Sequence, residues 1–159
     1  MQTVAVIGAG MMGSGISQTA AQFGYRVLLS DISLELADKA KSGIAKGLAR
    51  LVAKEKISAA DADATLNRIE PVTGYEPMAE ASFIIEAATE REEIKRKIFE
   101  AAGKVLAPDA IMASNTSSIP ITRMATSSLR RFRPTKAARV PNRKRKGSRT
   151  IATSRATAP

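Results

Sequence analysis

Short apolar runs alternate with longer amphipathic stretches along most of this chain. Strands are predicted near 3–8, 25–30, 82–87 and 110–114, with a short one near 69–73. Helices are predicted over 11–23, 33–55, 58–68 and 91–106. Such alternation argues for a parallel sheet covered by helices. Within the second helix, Ile44, Leu48, Leu51 and Val52 fall at i, i+4, i+7 and i+8, the spacing of one buried face. Ser58 followed by Asp61 fits a helix start, and Pro108-Asp109 closes the fourth helix before a strand.

Chemistry enters at the first strand. Val4-Ala-Val-Ile7 runs into Gly8-Ala-Gly10-Met-Met-Gly13, a G-x-G-x-x-G between a strand and a helix. In that context the pattern is a dinucleotide fingerprint. Gly8 allows a tight turn out of the strand. Gly10 lets backbone approach a pyrophosphate, and Gly13 lets the helix pack closely on the strand. The helix N-terminus, at Met11 and Met12, adds unpaired N–H donors and a partial positive charge.

A second apolar run, Tyr25 to Ser30, ends at Asp31, eighteen positions after Gly13. A carboxylate there accepts from ribose hydroxyls and repels a 2′-phosphate. No arginine follows in Ile32-Ser33, so NAD is expected rather than NADP. The alternative is that Asp31 starts a turn or caps the helix from Ser33 onward. The expected fold is α/β: a Rossmann-like, doubly wound parallel sheet with an inserted helical pair, incomplete at its C-terminal end.

Composition divides the chain in two. The 159 residues are one domain's worth, with no cysteine and no window of some eighteen apolar residues, so neither a disulfide framework nor a membrane span is expected. No metal is expected either. No basic region precedes the first strand, so no signal peptide is expected and cytoplasm is the default compartment. The formal charge of +10 is not spread evenly. Residues 1–126 hold 14 Lys/Arg against 15 Asp/Glu, whereas residues 127–159 hold 11 Lys/Arg and no acid. The reading is therefore a near-neutral domain over 1–126 and a basic, disordered tail over 127–159.

Three segments resemble the NAD-binding half of the 3-hydroxyacyl-CoA dehydrogenase family, including the 3-hydroxybutyryl-CoA dehydrogenases. They are Val6 to Gly15 with Asp31, the Glu86-Ala-x-x-Glu90-x-x-x-x-Lys95 stretch, and Ser114-Asn-Thr-Ser-Ser118. The long helical pair at 33–68 is also typical. The resemblance implies hydride transfer between a 3-hydroxyacyl-CoA and NAD. It implies that Glu90 and Lys95 approach the cofactor and the CoA-linked substrate, and that Ser117 hydrogen-bonds the substrate oxygen beside the nicotinamide. Lys54 matches a lysine that contacts the CoA phosphates, and Gly47 stands where the family can offer a serine. Asn115 is expected to order its loop. Read without the family, Glu90 caps the next helix, Lys95 is a solvated helix residue and Ser117 is a cap before Ile119-Pro120.

The chain departs from the family in one respect that bears on chemistry. The resemblance assigns the general base to a histidine, oriented by a glutamate, some twenty residues beyond the Ser-Asn-Thr-Ser-Ser loop. This chain contains no histidine. The expectation is a truncated gene with an out-of-frame or unrelated extension after about residue 126, lacking the helical substrate-clamping domain and the dimer interface it carries. Such a chain would bind NAD weakly, bind acyl-CoA weakly or not at all, turn over little or no substrate, and tend to aggregate. It would also leave the strand near 110–114 as an apolar edge prone to pairing. Two other readings differ in class. One is an NAD-binding module whose Arg143-Lys-Arg-Lys146 segment docks on nucleic acid; the tail's single aromatic, Phe132, argues against it. The other is a Rossmann 3-hydroxyacid dehydrogenase acting without CoA.

Overall fold

A computed structural model describes residues 2–121, 123 and 124. The basic segment 127–159, and every expectation placed on it, lies outside the described residues. Five strands pair in parallel in the order β3-β2-β1-β4-β5: β1 is Thr3–Ile7, β2 Arg26–Asp31, β3 Ile69–Thr73, β4 Phe83–Glu86 and β5 Ile111–Ser114. Four α-helices connect them: α1 Met11–Gln22, α2 Leu34–Ala53, α3 Ala59–Asn67 and α4 Glu92–Val105. All the predicted elements are present, with ends displaced by one or two residues. The pattern missed a 3-10 turn over Glu76–Glu80, begun by Pro77 and anchored by fully buried Met78. One methionine and one tyrosine in a polar stretch carry too little periodicity to reveal it.

The central strand β1 is buried throughout, which is why it reads as an unbroken apolar run rather than an alternating one. Its side chains nonetheless divide between two cores with a period of two. Ala5 and Ile7, with Leu28 of β2 and Ile84 of β4, face Met78 and the Ile98 and Ala102 stripe of α4. Val4 and Val6, with Val27 and Leu29, face Ala21 of α1, Ile44 and Leu48 of α2 and Ala62 of α3. Leu51 and Val52 pack half-buried against that second core, so the predicted α2 stripe is core.

Side chains cap two of the helix starts, those of α2 and α3. Ser33 caps α2 by accepting from the Leu36 N–H (3.3 Å). Ser58 caps α3 by accepting from the Asp61 N–H (3.0 Å) and donating to Asp61 Oδ2 (2.7 Å). Pro71 lies in β3, at an edge of the sheet as described, where its missing N–H costs no ladder bond. No helix among the described residues is long and apolar enough to cross a membrane.

The α2 stripe carries a stability prediction. Leu48 has no exposed surface, so Leu48→Ala is expected to cost roughly 2–5 kcal/mol in urea unfolding. Phe23→Ala, at a residue 80% exposed, should leave the midpoint close to the parent's.

Candidate functional site

The chain runs from β1 outward to β2 and β3 on one side and from β4 outward to β5 on the other, so the order reverses between β1 and β4. A crevice opens outside the carboxyl ends of strands at such a point. Here it is a cleft of about 770 Å³ whose lining includes Gly8, Gly10, Asp31, Ile32, Tyr75 and Ala88. Burial pushes the Tyr75 phenol up from its ordinary value.

The three glycines have separable reasons for being glycine. Gly8 has φ of +102°, and an added Cβ would lie 2.5 Å from Ala88 Cα. At Gly13 an added Cβ would overlap the Gly8 carbonyl oxygen outright. Both are therefore required by the protein's own packing. An added Cβ at Gly10 meets nothing within 4 Å. Nothing within the protein demands glycine there.

Asp31 is half-buried at the end of β2, and its carboxylate turns back to the glycine loop. Oδ2 accepts from the Ala9 N–H (2.6 Å) and Oδ1 from the Ile32 N–H (2.7 Å). The alternative of a helix cap does not hold, since Ser33 caps α2. Met11 and Met12 begin α1 with 90% and 55% exposure, and no acidic side chain occupies the helix's first turn. The amides there stand ready for an anion.

On its other side the cleft is lined by Ala88 and Thr89 after β4 and by Ile94, Lys97 and Ile98 of α4, while Glu90, Lys95 and Ser117 lie outside that lining. Glu90 accepts from the Thr116 hydroxyl (3.2 Å), which ties it to the Ser114–Ser118 loop rather than capping α4. Thr116 Oγ1 accepts in turn from the Ile119 N–H (3.4 Å), so Thr116, not Ser117, performs the local turn-closing role. Ser117 is exposed on that loop. Asn115 donates its backbone N–H to the Glu86 carbonyl (2.7 Å) and so joins the loop to β4.

Lys95 is not a solvated helix residue. It is fully buried, with Nζ 2.6 Å from Glu86 Oε2 and 3.1 Å from Ser114 Oγ. Its partner Glu86 is fully buried too, and the Ser114 hydroxyl donates to the same carboxylate oxygen. Sequence reasoning quoted Glu86 without giving it a role. The signal was present: Lys95, Ile98, Phe99 and Ala102 share the i, i+3, i+4, i+7 face of α4, all buried. A lysine on that stripe needs a buried acid, and the glutamate ending an apolar strand supplies it.

Lys54 stands apart. It is the exposed C-cap of the twenty-residue α2, whose length puts it roughly 30 Å along the axis from the helix start beside Asp31. Only an extended ligand could reach both. Gly47, on the same helix, has open space where a side chain would project.

The comparisons agree with the geometry. The family description "3-hydroxyacyl-CoA dehydrogenase, NAD binding domain" matches residues 3–137. A 3-hydroxyadipyl-CoA dehydrogenase of Escherichia coli is 45% identical over 125 residues, covering 79% of this chain and 26% of that protein. A 3-hydroxybutyryl-CoA dehydrogenase of Bradyrhizobium diazoefficiens is 45% identical over 128 residues, covering 79% of this chain and 43% of its own length. Among solved structures, the (S)-3-hydroxybutyryl-CoA dehydrogenase of Ralstonia eutropha superposes with a TM-score of 0.77 at 40% identity, covering 80% of this chain and 45% of that one. The chain thus spans less than half the length of these relatives.

The contrast among glycines is testable. Gly10→Ala should unfold at about the parent's midpoint yet bind NAD roughly tenfold or more weakly by calorimetry. Gly13→Ala should instead lower the unfolding free energy by about 1–3 kcal/mol or more, because backbone must move to admit the methyl.

Proposed function

The chain belongs to the 3-hydroxyacyl-CoA dehydrogenase NAD-binding-domain family, and from that premise we propose how its residues hold NAD and an acyl-CoA. The observation that carries the reading is the Asp31 carboxylate, held 2.6 Å from the Ala9 N–H in one cleft with Gly8 and Gly10. An ionised carboxylate offers about four acceptor positions. The two taken by Ala9 and Ile32 leave others for the 2′- and 3′-hydroxyls of the adenosine ribose. A 2′-phosphate would meet like charge there, which favours NAD over NADP.

The pyrophosphate lies against Gly8, Gly10 and Gly13, facing the amides of Met11 and Met12. Glu90 and Ser117 form the opposite half of the site, where the nicotinamide end and the CoA-linked substrate meet, with the buried Lys95 held beneath them by Glu86 and Ser114. Lys54 reaches the CoA phosphates from the end of α2. NAD, when bound, supplies the hydride acceptor, and the substrate class is a 3-hydroxyacyl-CoA oxidised at C3. Ser117 orients the substrate oxygen by a hydrogen bond. A pathway of fatty-acid oxidation and a cytoplasmic site of action fit this chemistry.

Residues 1–126 form the cofactor-binding unit in this reading, and 127–159 a separate basic segment. None of the 159 residues is a histidine, so no imidazole base lies within them. Lack of a general base typically lowers rate by about 10²–10⁴, and these residues alone are expected to turn over little substrate.

Calorimetry with the 159-residue chain tests the reading. NAD should bind saturably and more tightly than NADP. Asp31→Ala should weaken NAD by about tenfold to a hundredfold, the range for losing charge-assisted hydrogen bonds. Equal NAD affinity in parent and Asp31→Ala would remove the ribose assignment. Lys54→Ala should weaken CoA binding and leave NAD unchanged; an unchanged CoA affinity would remove Lys54 from the site.

A further inference from the structure

Glu86, Lys95 and Ser114 come from three different elements and meet at one point, with Glu86 and Lys95 fully buried and Ser114 half-buried. Lys95 belongs to the second turn of α4, Glu86 ends β4 and Ser114 ends β5. Each atom of the Glu86 headgroup is engaged. Oε2 accepts from Lys95 Nζ (2.6 Å) and from the Ser114 hydroxyl, while Oε1 accepts from the Ala88 N–H (2.9 Å). The Glu86 carbonyl accepts from the Asn115 N–H (2.7 Å). One residue thereby fixes two loops. One holds Ala88, which packs against Gly8; the other runs from Asn115 to Ser118.

We propose that Lys95 is a positioning residue: its ammonium locks the Glu86 carboxylate and the Ser114 hydroxyl together, setting the β4 and β5 loops against each other beneath the nicotinamide half of the cleft. Its fully buried ammonium makes this role distinct from direct contact with the cofactor's phosphates or with a solvent-facing CoA. The inference rests on the reading above for which half of the cleft holds which half of NAD. A dinucleotide lies across the reversal point of such a sheet. Asp31 marks the β2 side as the adenosine side, so the β4–β5 side holds the nicotinamide. A clamp confined to β4, β5 and α4 therefore has a one-sided consequence.

The test compares NAD with ADP-ribose, which shares the adenosine and pyrophosphate but lacks nicotinamide. In the full chain, the double variant Glu86→Gln/Lys95→Met removes both charges together and avoids stranding one of them. It should lose about tenfold in NAD affinity while ADP-ribose changes less than about twofold. Ser114→Ala keeps the ion pair but cuts its link to β5. It should show the same one-sided loss, about threefold on NAD. Amide exchange adds a readout independent of cofactor. In both variants it should quicken at Ala88 and Asn115 and stay at the parent rate in β1 and β2.

Equal losses of NAD and ADP-ribose, or no loss of either, would overturn the clamp. If the double variant fails to fold, Ser114→Ala decides by the same criteria. If the parent shows no saturable NAD binding, the reading of the cleft fails. Exchange at Ala88 and Asn115 then still decides whether the clamp holds the two loops, and unchanged rates would overturn it.

Discussion

Helix α1 can lie against β1 only because two glycines meet there. A Cβ at Gly13 would overlap the Gly8 carbonyl, and a Cβ at Gly8 would press on Ala88 Cα. These two contacts bring three segments to one point: the end of β1, the first turn of α1 and the loop after β4. The rest of the cleft is laid out from that point. With α1 seated so closely, its N-cap Gly10 lines the crevice at the reversal of strand order. With the β4 loop seated on Gly8, the α4 side is fixed relative to the glycine turn. A larger residue at either position would separate helix from strand and open both halves together.

Opposite the glycines, a polar cluster does comparable work at a different cost. Removing an ammonium and a carboxylate from water costs several kcal/mol for each ion even after relaxation. Their attraction offsets this only where the remaining donors and acceptors are also satisfied. Glu86 meets that condition, with its carboxylate oxygens accepting from Lys95, Ser114 and Ala88. An apolar pair could fill the same volume, often with no loss of stability. It could not fix the direction of two loops, because dispersion contacts are not directional. This difference accounts for a charged pair standing where the sequence pattern asks for leucine.

How much of this was legible in the sequence follows from how local each feature is. The strand–glycine–helix unit and Asp31 lie within the first 31 residues, and their geometry follows from short-range rules: a positive φ, a close approach, an acid at a strand end. The helix starts at Ser33 and Ser58 and the α2 stripe are local for the same reason. The Rossmann-like parallel sheet was legible from the alternation of elements and the glycine fingerprint. Glu86 was not, because its role is set by partners nine and twenty-eight positions away on separate elements. Lys95 read on its own suggested a solvated lysine, although the apolar stripe of α4 argued otherwise. The 3-10 turn at Glu76–Glu80 was missed because its one anchor, Met78, is buried by neighbours distant in sequence.

The division between local and distant determinants also separates the two ends of the proposed cofactor site. Adenosine-side recognition needs little beyond one contiguous strand–helix–strand unit, and Asp31 illustrates the economy. Its carboxylate steadies the glycine loop through Ala9 while keeping acceptor positions open toward the crevice. Charge over residues 1–126 is near balance, so attraction for a dinucleotide's phosphates cannot come from a net field. It has to come from oriented amides at the start of α1, which act within about one helical turn. On the far side, Glu90, Ser117 and the Asn115 loop depend on β4, β5 and α4 holding register with one another. Site geometry on that side is therefore only as good as the buried contacts beneath it, and a change of side chain in the core there is a change in the site.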